Sequence, residues 1–210
     1  MTRSIDAPQL WFENCYSDPD SDAFGEPSDE MLDLSTTIRP GARVLDVGCG
    51  EGRHAVLLAE RGARVFAFDT SLRAVLKLRR RTRLGAHPAP LVWIQDVVTG
   101  IPDAPFDLII CHGILHFLPP EERRLALGLV QKRTAPGGIN VIAVFTTKLP
   151  APPDMAPFLL GLYEEGELRE AYAGWQLLLD RSYTFRDSHP GGIKHHHAVD
   201  KIVAQKPKES

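Results

Sequence analysis

The sequence predicts an α/β protein: a doubly wound sandwich on a mostly parallel sheet, with an antiparallel hairpin at its C-terminal end. Three observations carry that expectation. Short apolar runs alternate with helix-length stretches between residues 42 and 148, and a glycine-rich turn joins the first run to the first helix. Beyond residue 148, two strand-like runs follow one another with no helix between them. Alternation of this kind implies βαβ units and a sheet buried on both faces. Right-handed crossovers then leave a Rossmann-like arrangement, whereas consecutive strands pair antiparallel.

Taken in order, the stretch to about Pro40 mixes the aromatics Trp11, Phe12, Tyr16 and Phe24 with Asp, Ser and Pro turn residues. It includes a short helical piece near 31–38 and reads as a cap. Strands are expected at 43–47 (RVLDV), 64–68 (RVFAF), 91–95 (LVWIQ), 106–111 (FDLIIC) and 139–145 (INVIAVF), with helices at 52–61, 71–84 and 120–134. A proline-rich LPAPPDMAP leads to a short helix at 165–172 (EGELREAY), and strands at 175–186 and 195–205 flank the turn signal HPGG. The chain 1–210 thus reads as one domain, with a cap or lid segment at 1–40, a ligand-binding core at 41–148 and a substrate-side helix and hairpin at 149–206.

Composition narrows the possible partners. With 210 residues, 43% of them hydrophobic, the chain can bury one sizeable core. A net charge of −3 gives no global basic field to draw it to nucleic acid or an anionic membrane. The one dense basic run, Lys77, Arg79, Arg80, Arg81 and Arg83, closes a helix, where cations complement the C-terminus and sit in water. No apolar run approaches the length of about 18 residues that spans a bilayer, and MTRSIDAPQLW lacks the layout of a signal peptide. Cys15, Cys49 and Cys111 are too scattered for a disulfide framework. A cytoplasmic protein, monomer or homodimer, acting on a small molecule is expected.

The strongest local signal is Asp46-Val47-Gly48-Cys49-Gly50-Glu51-Gly52, between the first strand and the first helix. Its glycines permit a tight turn and let a ligand lie on bare backbone. Dinucleotide folds share that logic. Here an acidic residue precedes the glycines, and a carboxylate suits a cationic ammonium better than a pyrophosphate, which favours S-adenosylmethionine (SAM) over a dinucleotide. Asp69 closes the second strand, where a carboxylate can accept both ribose hydroxyls, and Asp96 follows the third, in reach of an adenine amino group. Any single aspartate in such a loop is as readily a turn or helix cap. Three at successive strand ends are harder to ascribe to capping alone.

These motifs resemble those of the class I SAM-dependent methyltransferases. DVGCGEG is similar to their first motif, VFAFD to the acidic second, QDV to the third, FDLIICHGILHF to that of the fourth strand and APGGINVIAVF to the one before and through the fifth. The likeness covers residues 10–206. The stretch from Pro157 to Val203, centred on EEGELREAYAGWQ, further resembles the tellurite-resistance methyltransferases, small enzymes said to methylate tellurium and selenium oxyanions. The resemblance implies a sheet of order 3-2-1-4-5-7-6, SAM as cofactor with S-adenosylhomocysteine as product, no required metal and a small-molecule acceptor. It places Asp46 and Gly48 near the methionine moiety, with Gly50 and the intervening Cys49 against the ligand. Asp69 falls at the ribose, Thr70 beside the adenine, Asp96 and Val97 at the adenine amino group and ring edge, and the His112 backbone near the amino-acid end.

On the acceptor side, the tellurite group uses a histidine–arginine pair on the sixth strand and a basic residue before the seventh. Arg186 matches the arginine, Phe185 stands in place of the histidine, and Lys194 falls near the second basic position. An oxyanion attacks through a lone pair and needs cationic grips, which Arg186 and either Lys194 or a protonated histidine would supply. A thiol or amine acceptor wants a neutral histidine as base, and His112 and His116 stand at the end of the fourth strand. His116 also suits a partly exposed helix position, and Trp11, Phe12 and Tyr16 suit either a lid or plain packing.

In the run His195-His196-His197, neighbours on a strand point to opposite faces, so His195 and His197 share a side. We expect that pair to face the substrate, with Arg186 on the adjacent strand. Without a carboxylate or cysteine nearby the two make a weak metal site, and buried cysteines are usually inert, so no metal or thiolate site is expected. CHGI stands where amino-directed DNA and protein enzymes carry N/D-P-P-Y/F, and no basic domain is appended, so nucleic acid is not an expected substrate.

Overall fold

Seven strands form one sheet in this computed structural model, which describes residues 7–83, 88–187 and 194–208. They are β1 (Arg43–Val47), β2 (Arg64–Asp69), β3 (Leu91–Ile94), β4 (Phe106–His112), β5 (Thr134–Phe145), β6 (Gln176–Asp187) and β7 (His195–Gln205). Their order is β3-β2-β1-β4-β5-β7-β6, as expected. The first five run parallel, while β7 lies antiparallel between β5 and β6. Strand alternation divides the core in two. Ile109 and Cys111 of β4 join Leu45, Val47 and Ile142 on one face, and Leu108 and Ile110 join Val44, Val65 and Val141 on the other.

Helices α1 (Ala7–Cys15), α2 (Asp29–Ser35), α3 (Arg53–Glu60), α4 (Leu72–Thr82), α5 (Val97–Gly100), α6 (Pro120–Arg133) and α7 (Glu167–Ala171) complete the fold. Their limits follow from local chemistry. The Ser71 hydroxyl caps α4 by accepting from the Ala74 amide at 3.1 Å. Proline opens α6, with Glu121 and Glu122 in its first turn and Lys132 and Arg133 in its last. The expected helix limit at Leu84 and the turn signal HPGG lie outside the described residues.

Three differences from the sequence reading have clear causes. β5 starts at Thr134 rather than 139, because the parallel ladder with β4 absorbs Ala135 to Gly138 as an irregularity between Phe106 and Leu108. α5 is too short to show a period. The basic run is not uniformly solvated. Lys77 is buried in an ion pair with Glu51 at 2.7 Å, and its ammonium donates to the Asp18 and Ser21 carbonyls. The same Glu51 accepts from the Ala23 amide. The run's charge therefore straps the N-terminal segment across the carboxyl edge of the sheet.

Candidate active site

At that edge two cavities of about 490 and 330 Å³ meet. Phe12, Tyr16, Gly48, Ile114 and Phe117 line both, so they form one groove with a waist at the glycine turn. α1 lies along its rim. The Gln9 side chain donates to the Thr70 carbonyl, and the Glu13 carboxylate accepts from the Leu72 and Arg73 amides at the start of α4. Trp11, Phe12 and Tyr16 all line the groove, with Phe12 edge-to-face on Phe117.

Asp69, Thr70, Asp96 and Val97 line the larger cavity. Asp69 clasps two turns at once, its oxygens accepting from the Gly50 amide at 2.8 Å and the Ser71 amide at 2.9 Å. Each oxygen keeps a further lone pair for a ribose hydroxyl. Burial pushes the Asp69 carboxyl up against the pull of those amides. Asp96 takes the capping role, its two oxygens accepting from the Thr99 amide at 3.0 Å and the Thr99 hydroxyl at 2.7 Å to start α5.

Asp46, Gly48, Cys49, Gly50 and His112 line the smaller cavity. Gly48 and Gly50 hold φ of 65° and 54°, where L side chains are strained. A Cβ on Gly50 would come within 2.5 Å of the Tyr16 hydroxyl, and one on Gly48 would collide with Ile114. Asp46 is buried with Oδ2 lacking a hydrogen-bond partner. Burial pushes its carboxyl up to about 7; Arg53 opposes the rise and Asp69 adds to it. An orphaned buried carboxylate oxygen, a glycine cradle with no room for Cβ, and an acid at the next strand end fit a ligand with an ammonium at one end and a ribose further along. The residues present fit SAM.

Arg53 completes this end and was missed in the sequence. It donates to the Phe24 carbonyl at 2.7 Å and the Glu26 carbonyl at 3.2 Å, and lies 3.4 Å from His112 Nδ1. A signal was available: a cation in the first turn of a helix opposes the dipole, so an arginine directly after G-x-G-x-G needs a negative partner. His112 also approaches Glu30 at 3.5 Å, and Glu30 pairs with Lys201 of β7 at 2.9 Å. Burial would raise the Glu30 carboxyl, but bonds from His112, Ser28 and Lys201 hold it below the usual range. Burial lowers His112, so its imidazole is neutral at pH 7.

The other end of the smaller cavity is an aromatic chamber walled by Phe145, Tyr183, Phe185, Met155 and His116. His116 is fully buried, not half-exposed. Its Nδ1 accepts from the Phe145 amide at 3.0 Å, so the proton of the neutral ring sits on Nε2. Burial holds its pKa well below 6.5. His116 is thus a hydrogen-bond donor, not the base that a thiol or amine acceptor was expected to find.

The largest correction concerns Arg186. It pairs across the hairpin with His196, and both are exposed on the face away from the chamber. Phe185 and Asp187 take the chamber side, in register with His197 and His195. One step along a strand reverses the face, so aligning the arginine did not place its charge. Lys194 is exposed as well. His195 and His197 do share a face, but neither lines the chamber; His197 stacks at 4.0 Å on Phe145, which does. Nor do they lack carboxylates. Asp187 lies 3.8 Å from His197 and Asp154 3.5 Å from His195. The cysteines are apart: Cys49 lines the smaller cavity, Cys111 sits in the core, and burial raises all three thiols, Cys15 to about 11.

A glycine-cradled groove on a sheet of this order is the arrangement of the class I SAM-dependent methyltransferases, which the chain resembles in sequence and in fold. The family profile described as a methyltransferase domain matches residues 44–138. An uncharacterized methyltransferase of Mycobacterium tuberculosis is 33% identical over 141 residues, 66% of this chain and 62% of that protein. The probable S-adenosyl-L-methionine-dependent methyltransferase TehB of Haemophilus influenzae is 28% identical over 154 residues, 71% of this chain and 51% of that one. The chain thus spans about half to three-fifths of the length of these relatives. The crystal structure of TehB from H. influenzae superposes with a TM-score of 0.75 at 20% identity, covering 95% of this chain and 67% of that one, and shares its fold. Among the described residues no helix is long and apolar enough to cross a membrane.

Proposed function

We propose that the protein transfers a methyl group from SAM to a small, soft nucleophile of the thiol or selenol kind. The observation that carries this reading is the two-part groove: Asp46's unpartnered oxygen and the glycine cradle at its waist, an aromatic chamber beyond. When bound, SAM supplies a methyl group on a cationic sulfonium. The chain's part is alignment and exclusion of water. Asp46 would hold the ammonium, Arg53 the carboxylate, and Asp69 the ribose. Trp11, Phe12 and Tyr16 would cover the reacting end, while His116 Nε2–H offers a hydrogen bond to the acceptor.

The acceptor class follows from which groups face the chamber. His116 is committed as a donor, and His112 is engaged by Glu30 and Arg53. A nucleophile that sheds its proton readily near neutral pH needs neither as a base. A tellurite- or selenite-type oxyanion fits less well, because Arg186 and Lys194 are exposed and Arg53 lies at the cofactor end of the groove, not in the aromatic chamber. The test is to incubate protein and SAM with small thiols, selenols, selenite, tellurite and arsenite, and to measure S-adenosylhomocysteine and methylated products. Product with a thiol or selenol supports the proposal. Product with only an oxyanion overturns the acceptor class, and cofactor binding without any product marks a non-catalytic SAM-binding protein.

A further inference from the structure

We infer that Asp187, His195 and His197 form a binding site for a single first-row divalent metal ion, built into the wall of the acceptor chamber. Their ligand atoms all lie within 4.8 Å of one another, with the two Nε2 atoms 2.9 Å apart and His197 Nε2 3.8 Å from Asp187 Oδ2. Two ligands at about 2.0–2.1 Å from a common ion and at about 90–110° to each other are separated by roughly 2.9–3.4 Å. The histidine pair has that spacing already, and the Asp187 carboxylate must close on His197 by at least about 0.4 Å.

A second, independent feature points the same way. Asp154, from the proline-rich segment after β5, approaches the far nitrogen of His195, Nδ1, at 3.5 Å. A carboxylate behind the distal nitrogen orients an imidazole as a metal ligand and raises its basicity. His197 is fixed differently, stacked on Phe145 at 4.0 Å and an interplanar angle of 13°. Two imidazoles and one carboxylate favour zinc, cobalt, iron or manganese over magnesium and calcium. They leave at least one position for water or for a donor atom of the acceptor. The ion would join the end of β6, the start of β7 and the segment carrying Met155, three pieces that shape the chamber. Its role rests on the methyltransferase reading; its existence does not.

The test titrates Co²⁺ and Zn²⁺ into purified, metal-stripped protein, reading cobalt absorption and calorimetric stoichiometry, with S-adenosylhomocysteine binding measured in parallel. One ion per chain is expected. Asp187→Asn and His195→Ala should each weaken it at least roughly tenfold, and Asp154→Asn by roughly ten- to a hundredfold. His196→Ala, on the opposite face, should leave it unchanged. His197→Gln, checked by circular dichroism, should behave like His195→Ala. No 1:1 binding at micromolar metal, or equal binding in His195→Ala and Asp187→Asn, overturns the site. Cofactor binding that persists without metal binding refutes this site and leaves the methyltransferase reading standing. Loss of cofactor binding alone does the reverse.

Discussion

At the cofactor end of the groove, the ligand-facing groups come from turns after β1, β2 and β3, and the backbone holds them: Asp69 by two amides, Gly48 and Gly50 by their own φ. At the acceptor end they are side chains on β5, β6 and the 3-10 turn Leu115–Phe117, held by stacking and pairing with one another and with His197 of β7. A turn that must meet a particular backbone geometry leaves its mark in a short string of residues. A wall built from strand faces depends on register, which no short string records. That difference explains what each half tolerates and how well each could be read.

Several substitutions separate the halves, beginning with the most severe. Gly50→Val places a side chain against Tyr16 at a φ that valine does not accept, so S-adenosylhomocysteine binding should be abolished by calorimetry and the melting temperature should fall. Asp69→Ala frees both the Gly50 and Ser71 amides; affinity should drop by roughly two orders of magnitude, with a loss of stability of about 2–4 kcal/mol for two lost charge-assisted bonds.

Asp46→Asn should instead divide function from stability. Its carboxyl is raised from 3.8 to about 7, chiefly by burial. A raised acid contributes stability that is full below its unfolded value and lost as pH rises through the folded one. The shift corresponds to roughly 4 kcal/mol lost between pH 4 and pH 7. Asp46→Asn should therefore melt higher than wild type at pH 8 and bind cofactor at least about tenfold more weakly, for want of one charged pair. Wild-type affinity should itself fall as pH drops below 7, because the protonated carboxyl no longer attracts an ammonium. An affinity flat from pH 5.5 to 8 would remove Asp46 from the site.

The smallest effect belongs to Arg186→Ala. Exposed and turned from the chamber, it should change neither cofactor affinity nor turnover beyond about twofold, as is usual for surface positions. A large drop in turnover would return the arginine to the chemistry and restore the oxyanion reading.

The strands and the turns DVGCGEG, VFAFD and QDV were legible because strand period and glycine turns are local properties, whereas the sheet order was implied by the family resemblance. Asp96 shows their limit: a carboxylate after a strand caps a helix whether or not it also meets a ligand. Arg53 was legible in principle, as a cation at the wrong end of a helix. Arg186 was misread because a motif match gives position along a strand and not the face. The same register brings Asp187 opposite His195, and Asp154 arrives from a proline-rich loop distant in sequence. That is why the histidine pair looked bare of carboxylates.

The most direct test of the central claim is a calorimetric titration of S-adenosylhomocysteine into wild type, Asp46→Asn and Arg186→Ala at pH 8. One site per chain is predicted, weakened at least about tenfold in Asp46→Asn and unchanged in Arg186→Ala. No binding to wild type, or equal affinity in wild type and Asp46→Asn, would contradict it.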